Sequence, residues 1–410
     1  MPSLAFDCLT GPVRARTNDE YRRARRTTRR PSDATGVYLY MDALRAVLAG
    51  VVAFGHAWAL LIQDYAGSRS LTIRALYGIA GFAHAAVILF LVLSGYWISR
   101  SVNARERAGW SWNGYMLDRL ARLAVVVVPA LALGGLLDAV ALHVLQSPTH
   151  LGLTDSWVLR KNVGQDLALG TLAGNLLFMQ GIIVQPFGTN GPLWSIAAEF
   201  WFYLWFPALF LVVRRGRANW GLLSLAVVPF APWLLGYFAI WLCGALLVPM
   251  ERALTAQSLP LHRVGRVALF ITASATAAAL FQARMGMTIF RDVTLAVAFA
   301  AFILTLLVVR PVFPPVLRYL ATFGARSSFS LYAIHFPVIA LLAAFAVGRE
   351  RLPPSASNVL VCIAAVLASI AVSMFFAMAT EAHTPRVRDA IRRRLLVRSV
   401  NAPRPQNSAE

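Results

Sequence analysis

The sequence predicts an all-α protein, a polytopic transmembrane helix bundle of about ten spans with both termini in the cytoplasm. Three observations predict it. The chain is 58% hydrophobic with a mean hydropathy of +0.63, where soluble domains sit at roughly 45–50% apolar. Its apolar stretches recur at the length of about 20 residues that spans a hydrocarbon core. Its 38 Lys and Arg are also unevenly placed. With the N-terminus taken as cytoplasmic, 29 fall in inner segments, 8 in outer loops and Arg45 within a span, the bias of the positive-inside rule. That bias accounts for the net charge of +20, so no nucleic-acid partner is expected.

Residues 1–37 are polar and Arg-dense, and read as a disordered cytoplasmic tail resting on anionic membrane lipid. The transmembrane domain occupies 38–380, with spans expected near 38–62, 76–99, 120–142, 192–213, 218–233, 235–250, 267–283, 292–309, 329–347 and 357–380. Pro229 and Pro232 interrupt the fifth and sixth, which also read as one kinked hairpin. Residues 381–410 form a second basic tail.

The first span, YLYMDALRAVLAGVVAFGHAWALLI, carries Asp42, Arg45 and His56. A charge at membrane depth costs at least about 2.5–3.5 kcal/mol, which makes such residues functional candidates. Eleven residues bring His56 back to within about 20° of Arg45, three turns or roughly 16 Å along the axis. One helix face therefore presents two polar stations. His56, His84 in the second span and Glu199 in the fourth are each expected roughly 9–12 Å below the outer surface. Arg45 and His335 are expected about 10 Å, and Ser94 about 7 Å, from the inner ends of their helices. Two polar layers follow. Between the third and fourth spans lies the longest outer loop, 143–191, whose LAGNLLFMQG reads as a short re-entrant or interfacial helix.

Several chemistries lack support. Cys8, Cys243 and Cys362 are too scattered for a disulfide framework or a metal site. No P-loop, dinucleotide turn or HExxH helix is present. The His-x4-Asp spacing of His150 and Asp155 lies in an outer loop and reads as coincidence.

In order along the chain, MDALRAVLAGVVAFGHAW resembles the Arg-x10-His signature of the acyltransferase-3 family of integral membrane O-acyltransferases. AVILFLVLSGYWI resembles its FFxLSGxxI, LDRLARL its RRxxR-type stretch, PLWSIAAEFWFYLWFP its WSLxxExxFYLxxP, and SSFSLYAIHFPV its SYSxYLxHxP. ATEAHTP resembles its final Glu-x-Pro region. Leu91, Asp118 and Phe329 depart from the pattern, and Asp118 puts the basic patch beside Arg119 and Arg122 in question.

The resemblance implies transfer of an acyl group, commonly acetyl, from cytoplasmic acyl-CoA to a hydroxyl of a carbohydrate or lipid-linked glycan of the cell envelope. Acyl-CoA (acetyl-CoA) is then a co-substrate, with no tightly bound cofactor, in a multi-pass protein of the cytoplasmic membrane. His56 is the expected general base, in direct contact with Glu199 as its orienting carboxylate. Arg45, Arg119 and Arg122 are expected to hold donor phosphates, with Ser94, Tyr332 and His335 lining the donor channel. Arg45 also fits an ion pair with Asp42 that merely permits burial. His84, Trp194 and Tyr203 are the expected acceptor contacts. The division of labour requires a cavity joining the two levels. The competing class is a transporter or flippase, since polar stations in an apolar bundle also mark substrate pathways.

Overall fold

The computed structural model describes residues 35–256 and 261–400. Most of the basic segment 1–37 and the last ten residues lie outside the described residues. Nine helices are long and apolar enough to cross a membrane among the described residues. They are built on α1 (Thr35–Leu61), α3 (Ala83–Arg107), α4 (Trp112–Ala139), α6 (Trp194–Arg215), α7 (Trp233–Ala245) with α8 (Leu247–Ala256), α9 (Leu261–Arg284), α10 (Ile289–Val309), α11 (Ala325–Ala346) and α12 (Ala356–Ala379). Shorter pieces are α2 (Leu71–Ala80), α5 (Leu169–Leu176) within the loop 143–191, and α13 (Thr384–Val400), which gives helical form to much of the second basic tail. No strand is present among the described residues, which carry two isolated bridges.

The expected fifth span, 218–233, takes a different form: a 3₁₀ helix over Trp220–Phe230 with Pro229 inside it. It still carries the chain from one end of the bundle to the other. At its start Trp220 packs on Trp112 at 4.6 Å, beside the ends of α4 and α6, while Trp233 just after it meets Trp194 at 5.8 Å at the opposite end. Eleven residues at about 2.0 Å each reach roughly 22 Å, against about 16 Å for an α-helix of that length. Tighter winding thus lets a short apolar segment make the tenth passage.

The two ends differ in chemistry. One, hereafter the basic end, gathers the Arg105, Asp118 and Arg392 cluster and the Arg215–Glu106 pair. The other, the loop end, carries residues 143–191 clamped to the end of α1. Between them, α3 and α7 cross in backbone contact. A Cβ on Gly244 would lie 1.8 Å from the Val92 oxygen, and one on Gly95 would lie 2.1 Å from the Trp241 oxygen. Only glycine permits that approach, the small-residue packing that lets helices associate in lipid. It brings Trp241 of α7 against Ser94 of α3.

Candidate active site

Five of the motif segments converge on a cavity of about 310 Å³ toward the basic end, lined by Asp42 and Arg45 of α1, Ser94 of α3, Arg119 and Arg122 of α4, Glu199 and Tyr203 of α6, and Tyr332 of α11. Helical spacing explains the selection: Arg119 and Arg122 are one turn apart on α4, and Glu199 and Tyr203 one turn apart on α6. Arg45, Arg119 and Arg122 donate no hydrogen bond to a described residue. Arg119 rests over the rings of Tyr115 and Tyr203, 5.8 Å from each, and Arg122 over Phe329 at 5.9 Å. Aromatic faces hold these cations in place while their N–H groups remain available to an anion. The substitution at Asp118 does not weaken the patch, because that carboxylate is taken up by Arg105 and, at 2.6 Å, by Arg392.

Glu199 is the anchor of a polar chain in the same cavity. Trp241 Nε1 donates to Ser94 Oγ at 3.3 Å, Ser94 Oγ donates to Glu199 Oε1, and the Tyr203 hydroxyl donates to the same oxygen at 2.6 Å. The expected contact between Glu199 and His56 is therefore absent; neither hydrogen-bonds to the other. Tyr203, expected at the acceptor, lies with the arginines. The reason is where α6 begins. Its first residues do not lie at the loop-end surface, because the preceding segment Thr189–Pro192 is folded into the bundle, so that Pro192 accepts a hydrogen bond from Tyr332 of α11. Glu199, five residues after Trp194, sits correspondingly deeper.

A second cavity, of about 360 Å³, opens at the loop end and is lined by His56, Phe336, Trp194, Trp157 and the backbone-rich segment 185–192. Trp194 thus lies in the same cavity as His56. His56 meets His335 there: His56 Nδ1 is 2.8 Å from His335 Nε2, with the rings 5.1 Å apart and 17° from parallel. His335, 1% exposed, was expected in the donor channel. It lies ten residues into α11, which begins at Ala325, and so about 15 Å from the basic end. The motif alone hid that extra turn.

With both rings neutral, the histidine pair has one consistent tautomer. His335 Nδ1 lies 3.0 Å from the Leu331 oxygen and 2.9 Å from the Tyr332 oxygen. Carbonyls only accept, so Nδ1 of His335 carries the proton and its Nε2 is an acceptor. His56 must then donate from Nδ1. Its Nε2, which bonds to no described residue, keeps its lone pair on a ring that lines the loop-end cavity. A neutral imidazole held in this tautomer by a buried acceptor is the arrangement of a general base.

The two cavities do not merge into the single passage expected. The wall between them is thin: the Tyr332 hydroxyl bonds Ser195 Oγ at 2.6 Å and the Pro192 oxygen at 3.1 Å. Ser195 and Tyr332 face the arginine cavity, and Pro192 faces that of His56.

His84 lines neither cavity. Its Nε2 lies 2.9 Å from Asp292 of α10, a carboxylate 3% exposed. The pair ties α3 to α10, a tether rather than an acceptor contact. Asp292 stands in the first turn of its helix, where an acid complements the helix dipole, so nothing in its local sequence sets it apart. A second carboxylate escaped notice. Asp138 of α4, fully buried, accepts from Thr189 N and Thr189 Oγ1, each at 2.7 Å, and lies 3.4 Å from His150 Nε2. The rule that singled out Asp42 would have found it, since it too lies in an apolar span. It holds the segment that lines the His56 cavity. His150 and Asp155, the coincidental pair, bind different partners.

No curated protein and no solved structure matches this chain. The model of one family, described as an acyltransferase domain, matches residues 38–378. With that match over most of its length, and with the family's motifs gathered around two facing cavities, the chain belongs to the acyltransferase-3 family and is a multi-pass membrane acyltransferase.

Proposed function

We propose that the protein is an O-acyltransferase that moves an acyl group, acetyl in the simplest case, from cytoplasmic acyl-CoA to a hydroxyl of a carbohydrate or lipid-linked glycan. The observation that carries this reading is the His56–His335 pair: a half-buried imidazole with one free lone pair, facing one cavity and a single residue layer from another lined with guanidinium groups. The basic end is cytoplasmic on the charge bias. Arg45, Arg119 and Arg122 receive the donor's phosphates, and Ser94, Glu199 and Tyr203 order the cavity around its arm.

For the acyl carbon to reach His56, the Tyr332 hydroxyl leaves the Pro192 oxygen. A hydroxyl released there is a donor for the oxyanion that forms on the thioester carbonyl. His56 Nε2 takes the acceptor's proton as its oxygen attacks that carbonyl. The C–S bond then breaks, and the thiolate of CoA leaves with the proton from His56. His335 accepts from His56 Nδ1–H throughout and steadies the transient imidazolium. His335 is a positioning residue in this scheme, and Glu199 acts on the donor side.

A transporter would use the same two cavities with their closed wall as alternating access, and has no need of a basic imidazole. Membranes bearing the chain, given acetyl-CoA labelled in the acetyl group, separate the two. The acyltransferase forms a labelled ester that is released by mild alkali. Movement of an unaltered solute without any ester would favour the transporter.

A further inference from the structure

The loop-end cavity has a charged rim that the acyl-transfer chemistry leaves unused. Arg160 and Lys161 line it, both exposed, and neither forms a hydrogen bond or ion pair with a described residue. Asp166 shares the cavity, which leaves the three side chains net positive.

These cations sit on a segment pinned at both ends. Before it, Asp155 accepts from Arg351 N at 3.0 Å and Nε at 3.2 Å, and Ser156 Oγ donates to the Ala59 oxygen at 3.3 Å. Arg351, its side chain 2% exposed, also donates to the oxygens of Ala59 and Ile62 and to Asp64. Ala59 is one turn beyond His56 on α1, so the clamp fastens this segment to the helix that carries the base. After it, Val163 N donates to the His150 oxygen at 2.8 Å. Gly152, at φ +70°, lets the backbone of Lys161 approach to where a Cβ would lie 2.7 Å from its carbonyl carbon. The two cations are held on the same cavity as the imidazole, and Trp157 and Trp194 supply flat apolar faces beside them.

We infer that the acceptor is an anionic glycan, whose carboxylate or phosphate is taken by Arg160 and Lys161 while a neighbouring hydroxyl is presented to His56. The inference rests on the acyltransferase reading above. A neutral sugar would leave one of the two cations without a counter-charge in the cavity, Asp166 balancing only one, and a net positive rim raises the local concentration of oppositely charged substrate.

The test uses membranes bearing the full chain, labelled acetyl-CoA and the acceptor resident in those membranes. The labelled ester should bind an anion exchanger. Mild acid, which cleaves sugar phosphates, should neutralise it if the anion is a phosphate of a lipid link and leave it anionic if it is a sugar carboxylate. The double variant R160A/K161A should transfer label about tenfold more slowly at limiting acceptor, with the KM for acetyl-CoA unchanged, and R160K/K161R should restore the rate. A neutral labelled ester, or a rate in R160A/K161A within twofold of the parent, would overturn the inference while leaving the acyltransferase reading intact. No ester from the parent membranes would count against that reading and, with it, against the anionic acceptor.

Discussion

His335→Leu is the substitution on which the histidine relay is most exposed. The leucine fills the space but removes the acceptor 2.8 Å from His56 Nδ1. In the resting enzyme this frees His56 to adopt either tautomer. In the proposed mechanism His56 becomes an imidazolium in the transition state, and its bond to His335 becomes a charge-assisted one worth about 1.5–3 kcal/mol. At 1.36 kcal/mol per tenfold, the expected loss in kcat is roughly 10- to 150-fold. His335→Gln, which keeps an acceptor at the end of a side chain of similar reach, should recover part of that. The assay is transfer of labelled acetyl in membranes, with kcat and the KM for acetyl-CoA measured separately. A fall in kcat at unchanged donor KM supports the relay. A raised donor KM at unchanged kcat would refute it, and would return His335 to the donor-channel role that its motif suggested.

Other perturbations read other parts of the structure. Alanine at Arg119 or Arg122 should raise the KM for acetyl-CoA about tenfold or more with little change in kcat, measured in the same assay. Gly244→Ala places a Cβ where only 1.8 Å separates it from the Val92 oxygen; it should destabilise the protein by about 1–3 kcal/mol in detergent unfolding. Gly50→Ala, with nothing within 4 Å, should be neutral or slightly stabilising. Arg351→Leu should cost ~2 kcal/mol in the same unfolding measurement. That is less than the about 3–5 of a fully buried pair, because Asp155 and Asp64 are 41% and 70% exposed. Burial alone would raise the Asp155 carboxyl, but the hydrogen bonds and charge of Arg351 outweigh it and hold it below its ordinary value. A carboxyl depressed in the folded state stabilises above its unfolded value and loses that contribution as pH falls through the folded one. The clamp should therefore be at full strength above about pH 4 and weaken only in stronger acid, and Asp155→Asn should abolish that acid step.

The fold was legible because apolar length and charge asymmetry are local properties, and nine of the expected passages have the expected form. The tenth deviates where Pro229 falls in a segment too short for an α-helix, so the chain winds tighter to make the distance. The cavity toward the basic end was also largely legible. Arg45, Ser94, Arg119, Arg122 and Tyr332 share a cavity, as their depths suggested.

What the string hid was depth across helices that do not begin where their motifs begin. Counting from the surface puts Glu199 level with His56, whereas the start of α6 is folded inward against Tyr332. The motif of His335 sits well inside α11. Pairings between distant segments were equally invisible. His84 meets Asp292 across 208 residues and Trp241 reaches Ser94 across 147, and no spacing rule links them.

The most direct measurement of the central claim is acetyl transfer by His56→Gln in membranes, at saturating acetyl-CoA and with donor binding measured alongside. The account predicts that donor binding is unchanged and transfer falls by about 10²–10⁴, the contribution of a general base. Transfer at the parent rate with the donor still bound would contradict it.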